Sequence, residues 1–250
     1  MESSVCEICC NEKLTNQAHL SRRGLLRFFG AAASGLALAG TANAKQVKAP
    51  PKPQNVVSPD ASLELLMKGN KRYVEGDSRR HDFKREREAL VGGQNPYAGI
   101  LSCADSRIAP EYAFDSGRGD LFVCRVAGNF ANDDTVASME YAVAMLGMPL
   151  IMVLGHDACG AVDATIKSLK DNTTLPGHLP SLVTSLTPAV NAISGKPGDP
   201  LDNAIRQNVI DNVAKLRSAT PILSAAVEQR KLKVVGGIYR LKDGKVEMIS

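Results

Sequence analysis

Two cysteines and a histidine in this sequence have the types and spacing of metal ligands. Residues 150–161 read Leu-Ile-Met-Val-Leu-Gly-His-Asp-Ala-Cys-Gly-Ala. The aliphatic run 150–154 has the composition of a strand buried on both faces and ended by Gly155. His156 and Cys159 follow at the corner before a helix expected from about Ala158. An imidazole and a thiolate at such a corner suit a metal, and zinc above all. Asp157 is placed to cap the first turn of that helix, and the helix dipole favours a thiolate at Cys159. A third ligand must come from elsewhere. Ala98–Ser102 is a second small apolar run, followed at once by Cys103-Ala104-Asp105-Ser106-Arg107. If both runs are parallel strands of one sheet, their C-terminal ends share the edge where ligands bind in open α/β sheets. Cys103, His156 and Cys159 then converge. Two Cys and one His leave tetrahedral zinc one open position, the arrangement of a catalytic rather than a structural site.

Cys-Ala-Asp-Ser-Arg followed by Gly-His-Asp-Ala-Cys-Gly-Ala resembles the paired signature of the β-class carbonic anhydrases. Cys103, Asp105, Arg107, His156 and Cys159 match it in type, order and spacing, and the resemblance runs from roughly Ala61 to the C-terminus. It implies one Zn2+ per subunit and the reversible hydration of carbon dioxide to bicarbonate and a proton. Zinc with an open position lowers the pKa of bound water to about 7, so hydroxide is available to attack a small electrophile. Asp105 can accept a hydrogen bond from that hydroxide and orient it, while Arg107 pairs with Asp105 and keeps it ionised. The substrate pocket carries over residue by residue. Gln94, nine residues before Cys103, matches a glutamine that hydrogen-bonds substrate. Phe122 and Tyr141 match aromatic pocket residues contributed by the neighbouring subunit, and Gly160 matches the glycine whose backbone N–H faces substrate. Ala127 stands where a valine is common. A homodimer, or dimers paired into a homotetramer, follows from this placement, as do N-terminal helices packed on a partner subunit.

Some β-class members close when the carboxylate matching Asp105 swings onto zinc, a state held in one branch by a tryptophan-containing bicarbonate site. This chain has no Trp, and Ile100 stands at that place, so a permanently open site is implied. Two rival readings stay open. The same scaffold could hydrolyse carbonyl sulfide or carbon disulfide, or the protein could bind zinc without catalysis; an intact Asp105–Arg107 pair argues against the second.

The elements that must position these residues alternate between strand and helix, which favours an α/β fold with a central, mainly parallel sheet flanked by helices. A helix starting at Pro59 carries Leu63, Leu66, Met67 and Tyr73 on one face and ends at Gly76-Asp77. Residues 83–91 form a second, strongly charged helix. Strand Ala98–Ser102 leads through a turn-rich connection to strand 121–126. The helix Asp133–Leu146 turns Val136, Met139, Ala142, Val143 and Leu146 inward. After the metal-site helix come a loop at 171–180 and helices at 181–193, 201–216 and 221–229. Strand 232–239 and residues 246–249 make a C-terminal edge hairpin.

With 250 residues and 44% hydrophobic content the chain can bury one sizeable core. A net charge of +4 from 30 basic and 26 acidic residues gives no polyanionic partner. Aromatics make up only 4%, too few for a base-stacking platform, so no nucleic acid is expected. Residues 1–44 stand apart from the core. Ser21-Arg22-Arg23-Gly24-Leu25-Leu26-Arg27 resembles a twin-arginine export signal, and Ala42-Asn43-Ala44 fits small-residue cleavage. The apolar run between them is broken by Gly30, Ser34, Gly35 and Gly40 and is shorter than the roughly 20 residues of a span. No stable membrane insertion is therefore expected after cleavage. The domain reading is a signal at 1–44, a linker at 45–58 and a carbonic anhydrase domain at 59–250. Cleavage leaves 250 − 44 = 206 residues, bound for the periplasm. Cys6, Cys9, Cys10 and His19 are read as part of the discarded segment, Cys124 as a small buried hydrophobe, and His178 as a surface histidine. Replacing Arg22 and Arg23 by Lys should retain the precursor in the cytoplasm; fractionation that still finds mature protein in the periplasm refutes the export reading.

Overall fold

Five strands make one sheet: β1 (Ala98–Ser102), β2 (Leu121–Arg125), β3 (Leu150–His156), β4 (Lys233–Tyr239) and β5 (Val246–Met248), in spatial order β2-β1-β3-β4-β5. The computed structural model describes residues 57–249; the segment 1–44 expected to be an export signal, with Cys6, Cys9, Cys10 and His19, and nearly all of the linker expected at 45–58 lie outside the described residues. The first three ladders are parallel and β4–β5 is antiparallel, as the alternating pattern and the terminal hairpin required. The helices are α1 (Pro59–Glu75), α2 (Phe83–Leu90), α3 (Pro110–Ala113), α4 (Asp133–Leu146), α5 (Gly160–Lys170), α6 (Pro180–Ala192), α7 (Pro200–Ser218) and α8 (Ile222–Glu228).

Every residue of β3 is buried. Leu150, Met152 and Leu154 face a core shared with α1 and α3, while Ile151 and Val153 face one shared with α4, α7 and α8. A continuous aliphatic run is what a strand covered on both faces demands. α4 turns the expected residues inward, with Met139 and Ala142 fully buried.

α1 shows why its sequence makes a helix at that place. Ser58 caps it, its Oγ accepting from Ala61 N–H at 3.2 Å; Pro59 sits in the first turn, and Gly76 closes it in the left-handed region at φ 73°. Its buried stripe is Ser62, Leu66, Gly69 and Asn70. Asn70 Nδ2 donates to the carbonyls of Ala113 (2.9 Å) and Gly244 (2.8 Å), and its Oδ1 accepts from Val246 N–H at 2.9 Å. One side chain thus ties α1 to α3 and to the terminal hairpin. In the single chain α1 seats its apolar face on its own sheet, and packing of the N-terminal helices on a partner subunit stays what the resemblance implies. α2 buries no residue in the single chain.

Other expectations are corrected by contacts remote in sequence. β3 runs on to His156 instead of stopping at Leu154, because β4 keeps pairing as far as His156 with Tyr239. The following helix starts at Gly160, not Ala158, since Ala158 is left-handed at φ 51° and cannot begin a right-handed helix. Asp157 does not cap it; its Oδ1 accepts from Leu241 N–H at 2.9 Å. The turn-rich connection after β1 contains the single-turn α3. Most other boundaries shift by a residue or two, as fraying ends do. Cys124 is half-buried against the α4 core, and His178 is exposed. Among the described residues no helix is long and apolar enough to cross a membrane.

Gly69 gives a test of how closely α1 is seated. A Cβ there would lie 1.8 Å from the carbonyl oxygen of Phe114. Helix propensity alone makes Gly69→Ala a gain of about 1 kcal/mol. The backbone clash reverses the sign, and urea unfolding should show a net loss of about 2 kcal/mol.

Candidate metal centre

β1 pairs directly with β3, Ser102 opposite Leu154, so the residues that follow both strands emerge at one edge. There Cys103, His156 and Cys159 come together with ligand atoms all within 4.8 Å of one another. They are 4%, 0% and 1% exposed, and both thiols are free. Cys159 occupies the N-cap of α5, with Ala161 and Val162 N–H groups favouring charge on its sulfur. His156 Nδ1–H donates to the Asp157 carbonyl at 2.8 Å. That fixes the tautomer and leaves Nε2 as a lone pair; Nε2 is buried with no hydrogen-bond partner. An orphaned imidazole nitrogen beside two buried sulfurs is the donor set of tetrahedral zinc with one position open.

The electrostatics point the same way. Cys103 is pulled well below the ordinary thiol range, first by the neighbouring Cys159 thiol and, against burial, by His156 and by the Gly128 N–H. Cys159 is pushed up, by Cys103 and then by burial. Burial lowers His156, but the Cys103 sulfur outweighs it and the net shift is upward. With only protons available, what lowers Cys103 raises Cys159, so the two sulfurs do not share the charge. A divalent cation lets both sulfurs ionise in a dry site.

Asp105 lies beside the cluster without joining it, Oδ2 3.9 Å from His156 Nε2. Arg107 holds it by three bonds: backbone N–H and Nε to Oδ1, each at 2.9 Å, and Nη2 to Oδ2 at 2.7 Å. This pairing keeps the Asp105 carboxyl well below the usual carboxylate range. Arg107 Nη2 also reaches the carbonyl of left-handed Ala158 at 3.3 Å, linking the two halves of the motif. Gly160 opens α5 beside Cys159, and a Cβ there would meet nothing within 4 Å.

The remaining pocket residues are not brought to this cluster. Gln94 is exposed in the loop off the N-terminal end of β1, whereas Cys103 follows its C-terminal end; five residues of strand span about 16 Å. Phe122 pairs with Gly99 near the same far end. Its ring lies 6.5 Å from that of Tyr141, which is 51% exposed on α4. Ile100 is fully buried in the α1 core, away from solvent.

Sequence reading missed Arg125. Its guanidinium donates to the carbonyls of Cys103 (3.0 Å), Asp105 (2.7 Å) and Ile108 (2.8 Å), so it clamps the whole ligand loop. The signal was a lone cation closing the apolar run of β2, one strand from Cys103. Gly128 was also missed as a contact; its N–H donates to Cys103 Sγ at 3.3 Å.

Comparison with known proteins comes to the same place. The carbonic anhydrase family profile matches residues 98–246. Carbonic anhydrase 2 of Mycobacterium tuberculosis is 37% identical over 190 residues, 75% of this chain and 91% of that protein. A solved β-carbonic anhydrase structure superposes with TM-score 0.58 at 30% identity, covering 75% of this chain and 95% of its own. One of two tetrameric β-carbonic anhydrases from Sordaria macrospora shares the fold at TM-score 0.59 and 24% identity, over 76% of this chain and 95% of that one.

Replacing the carbonyl clamp should loosen the metal without touching a ligand. Arg125→Met is expected to weaken zinc retention about tenfold in chelator competition, the effect typical of groups that orient ligands; unchanged retention would show that the loop holds its shape unaided.

Proposed function

This chain belongs to the β-class carbonic anhydrases, and we infer that it holds one zinc ion at Cys103, His156 and Cys159 and interconverts carbon dioxide and bicarbonate. The observation that carries the reading is the buried Nε2 of His156, without a partner and facing two free thiols. When bound, zinc supplies a Lewis acid that makes water nucleophilic near neutral pH. The chain's own residues do the rest. With Arg107 on both its oxygens, Asp105 stays ionised and is an acceptor only, so it orients the O–H of the attacking water beside the cluster. Its restraint by three bonds also keeps it from entering the ligand set. The open face at Gly160 leaves a backbone N–H at the start of α5 for an oxygen of carbon dioxide, where the helix dipole favours the charge of bicarbonate. The buried ligands and the apolar residues around them exclude bulk water from the metal side.

The proposal includes an assembly. Gln94, Phe122 and Tyr141 lie off the far end of the strands from their own Cys103, and so suit the pocket of a second copy. An open β2 edge, with Tyr141 51% and Met145 70% exposed nearby, supports a homodimer, as does the tetrameric relative. Export to the periplasm is carried as part of the same reading, on the Arg22-Arg23 motif.

Stopped-flow mixing with a pH indicator tests the whole. Zinc-loaded protein should accelerate hydration, with the activity eluting at dimer or tetramer mass by light scattering. Cys103→Ala should lose metal and activity together. Asp105→Asn should keep its zinc and lose about a hundredfold in kcat. A zinc-loaded protein without acceleration, or an active monomer, overturns the corresponding part.

A further inference from the structure

A backbone N–H points at a sulfur only if the residue that carries it keeps its conformation, and Gly128 is held from α7 through the peptide that follows it. Gly128 is left-handed at φ 89°, and a Cβ there would lie 2.9 Å from Leu186 Cδ1. On the other side its carbonyl accepts from Asn208 Nδ2 at 2.8 Å. Asn208 is 2% exposed, and Asn212, one turn further along α7, is 7% exposed. Asn212 Nδ2 donates to Asn208 Oδ1 at 2.9 Å and to the Asn208 carbonyl at 2.7 Å. Asn212 Oδ1 in turn accepts from Ala131 N–H at 2.7 Å. These contacts fix which way each amide faces, since a carbonyl can only accept and an N–H can only donate. The pair therefore grips the loop between β2 and α4 at both Gly128 and Ala131. Around it the buried stripe of α7 is Ala204, Ile205, Val209, Val213 and Leu216. Two amides in such a stripe are costly unless their polar atoms are used, and theirs are used on each other and on the loop that reaches the metal ligand.

We propose that Asn208, braced by Asn212, is a positioning residue for the ligand sulfur of Cys103: it holds the carbonyl of Gly128, and with it the left-handed conformation that aims the N–H on the other side of that residue at the sulfur. The inference rests on Cys103 being a zinc ligand. A thiolate that accepts an N–H donates less to its metal and leaves the ion more electrophilic. Without Asn208 the backbone of Gly128 can relax from its left-handed conformation, its N–H turns away, and the sulfur becomes the stronger donor.

Cobalt(II) replacing zinc in the full-length protein gives a readout separate from activity, the sulfur-to-cobalt charge-transfer absorption. Asn208→Leu, close in volume and lacking the amide, should still bind one cobalt per chain but move this band to lower energy. With zinc, kcat should fall about tenfold while KM holds. Val213→Ala removes core packing from the same face without touching the loop, and should lower stability with the band unmoved. A folded Asn208→Leu protein with the wild-type band overturns the inference and leaves the zinc assignment standing. No thiolate band in the unsubstituted protein overturns both. If Asn208→Leu does not fold, Asn212→Ala decides by the same spectrum: a shift in the same direction supports the brace, and an unmoved band overturns it.

Discussion

Taking a thiolate out of water costs several kcal/mol unless something replaces the lost solvation, and Cys103 and Cys159 are 4% and 1% exposed. That cost organises the C-terminal edge of the sheet. The sulfurs are met by backbone N–H groups, Gly128 on one and the opening turn of α5 on the other. The histidine turns its proton toward the Asp157 carbonyl and its lone pair inward. What remains is a site with more negative than positive character, which is the condition for holding a divalent cation in a dry place.

Two arginines serve this edge in different ways. Arg125 addresses three carbonyl oxygens and shapes the backbone of the Cys103–Ile108 loop. Arg107 addresses a carboxylate and sets its charge and direction. Both are planar forks that make several bonds at once, which a lysine in either place could not reproduce. The Asp105 carboxylate is thus kept ionised by one guanidinium and placed by a loop that the other holds.

Cys103, His156 and Cys159 were legible because they stand at, or within a few residues of, the ends of two apolar runs, so strand ends and chemistry coincide in sequence. The covered strand at 150–154 and the inward face of α4 were legible from hydrophobic periodicity alone. What failed depended on distant partners. Asp157 has the type and position of a helix cap, but Leu241, brought alongside by β4, takes its carboxylate. His156 reads as lying past the strand, yet Tyr239 extends the ladder to it. A one-turn helix such as α3 leaves no periodicity to detect. Arg125 and the amides of α7 act only once separate elements meet, and single residues of common type carry no mark of that in sequence. Gln94, Phe122 and Tyr141 were singled out by resemblance, and one chain by itself does not bring them to its own ligands.

The direct ladder between β1 and β3 has a further meaning for the ligands that follow those strands. Cys103 and His156 are separated by 53 residues, and in an unfolded chain gathering them would carry the entropy of closing that loop. Strand pairing closes it beforehand, so an arriving ion finds its donors already assembled. Cys103 and His156 are each tied to a central strand that opens only with the sheet, whereas Cys159 is held by the start of α5. The sheet thus meets much of the entropic cost of assembling a metal centre before any ion is bound.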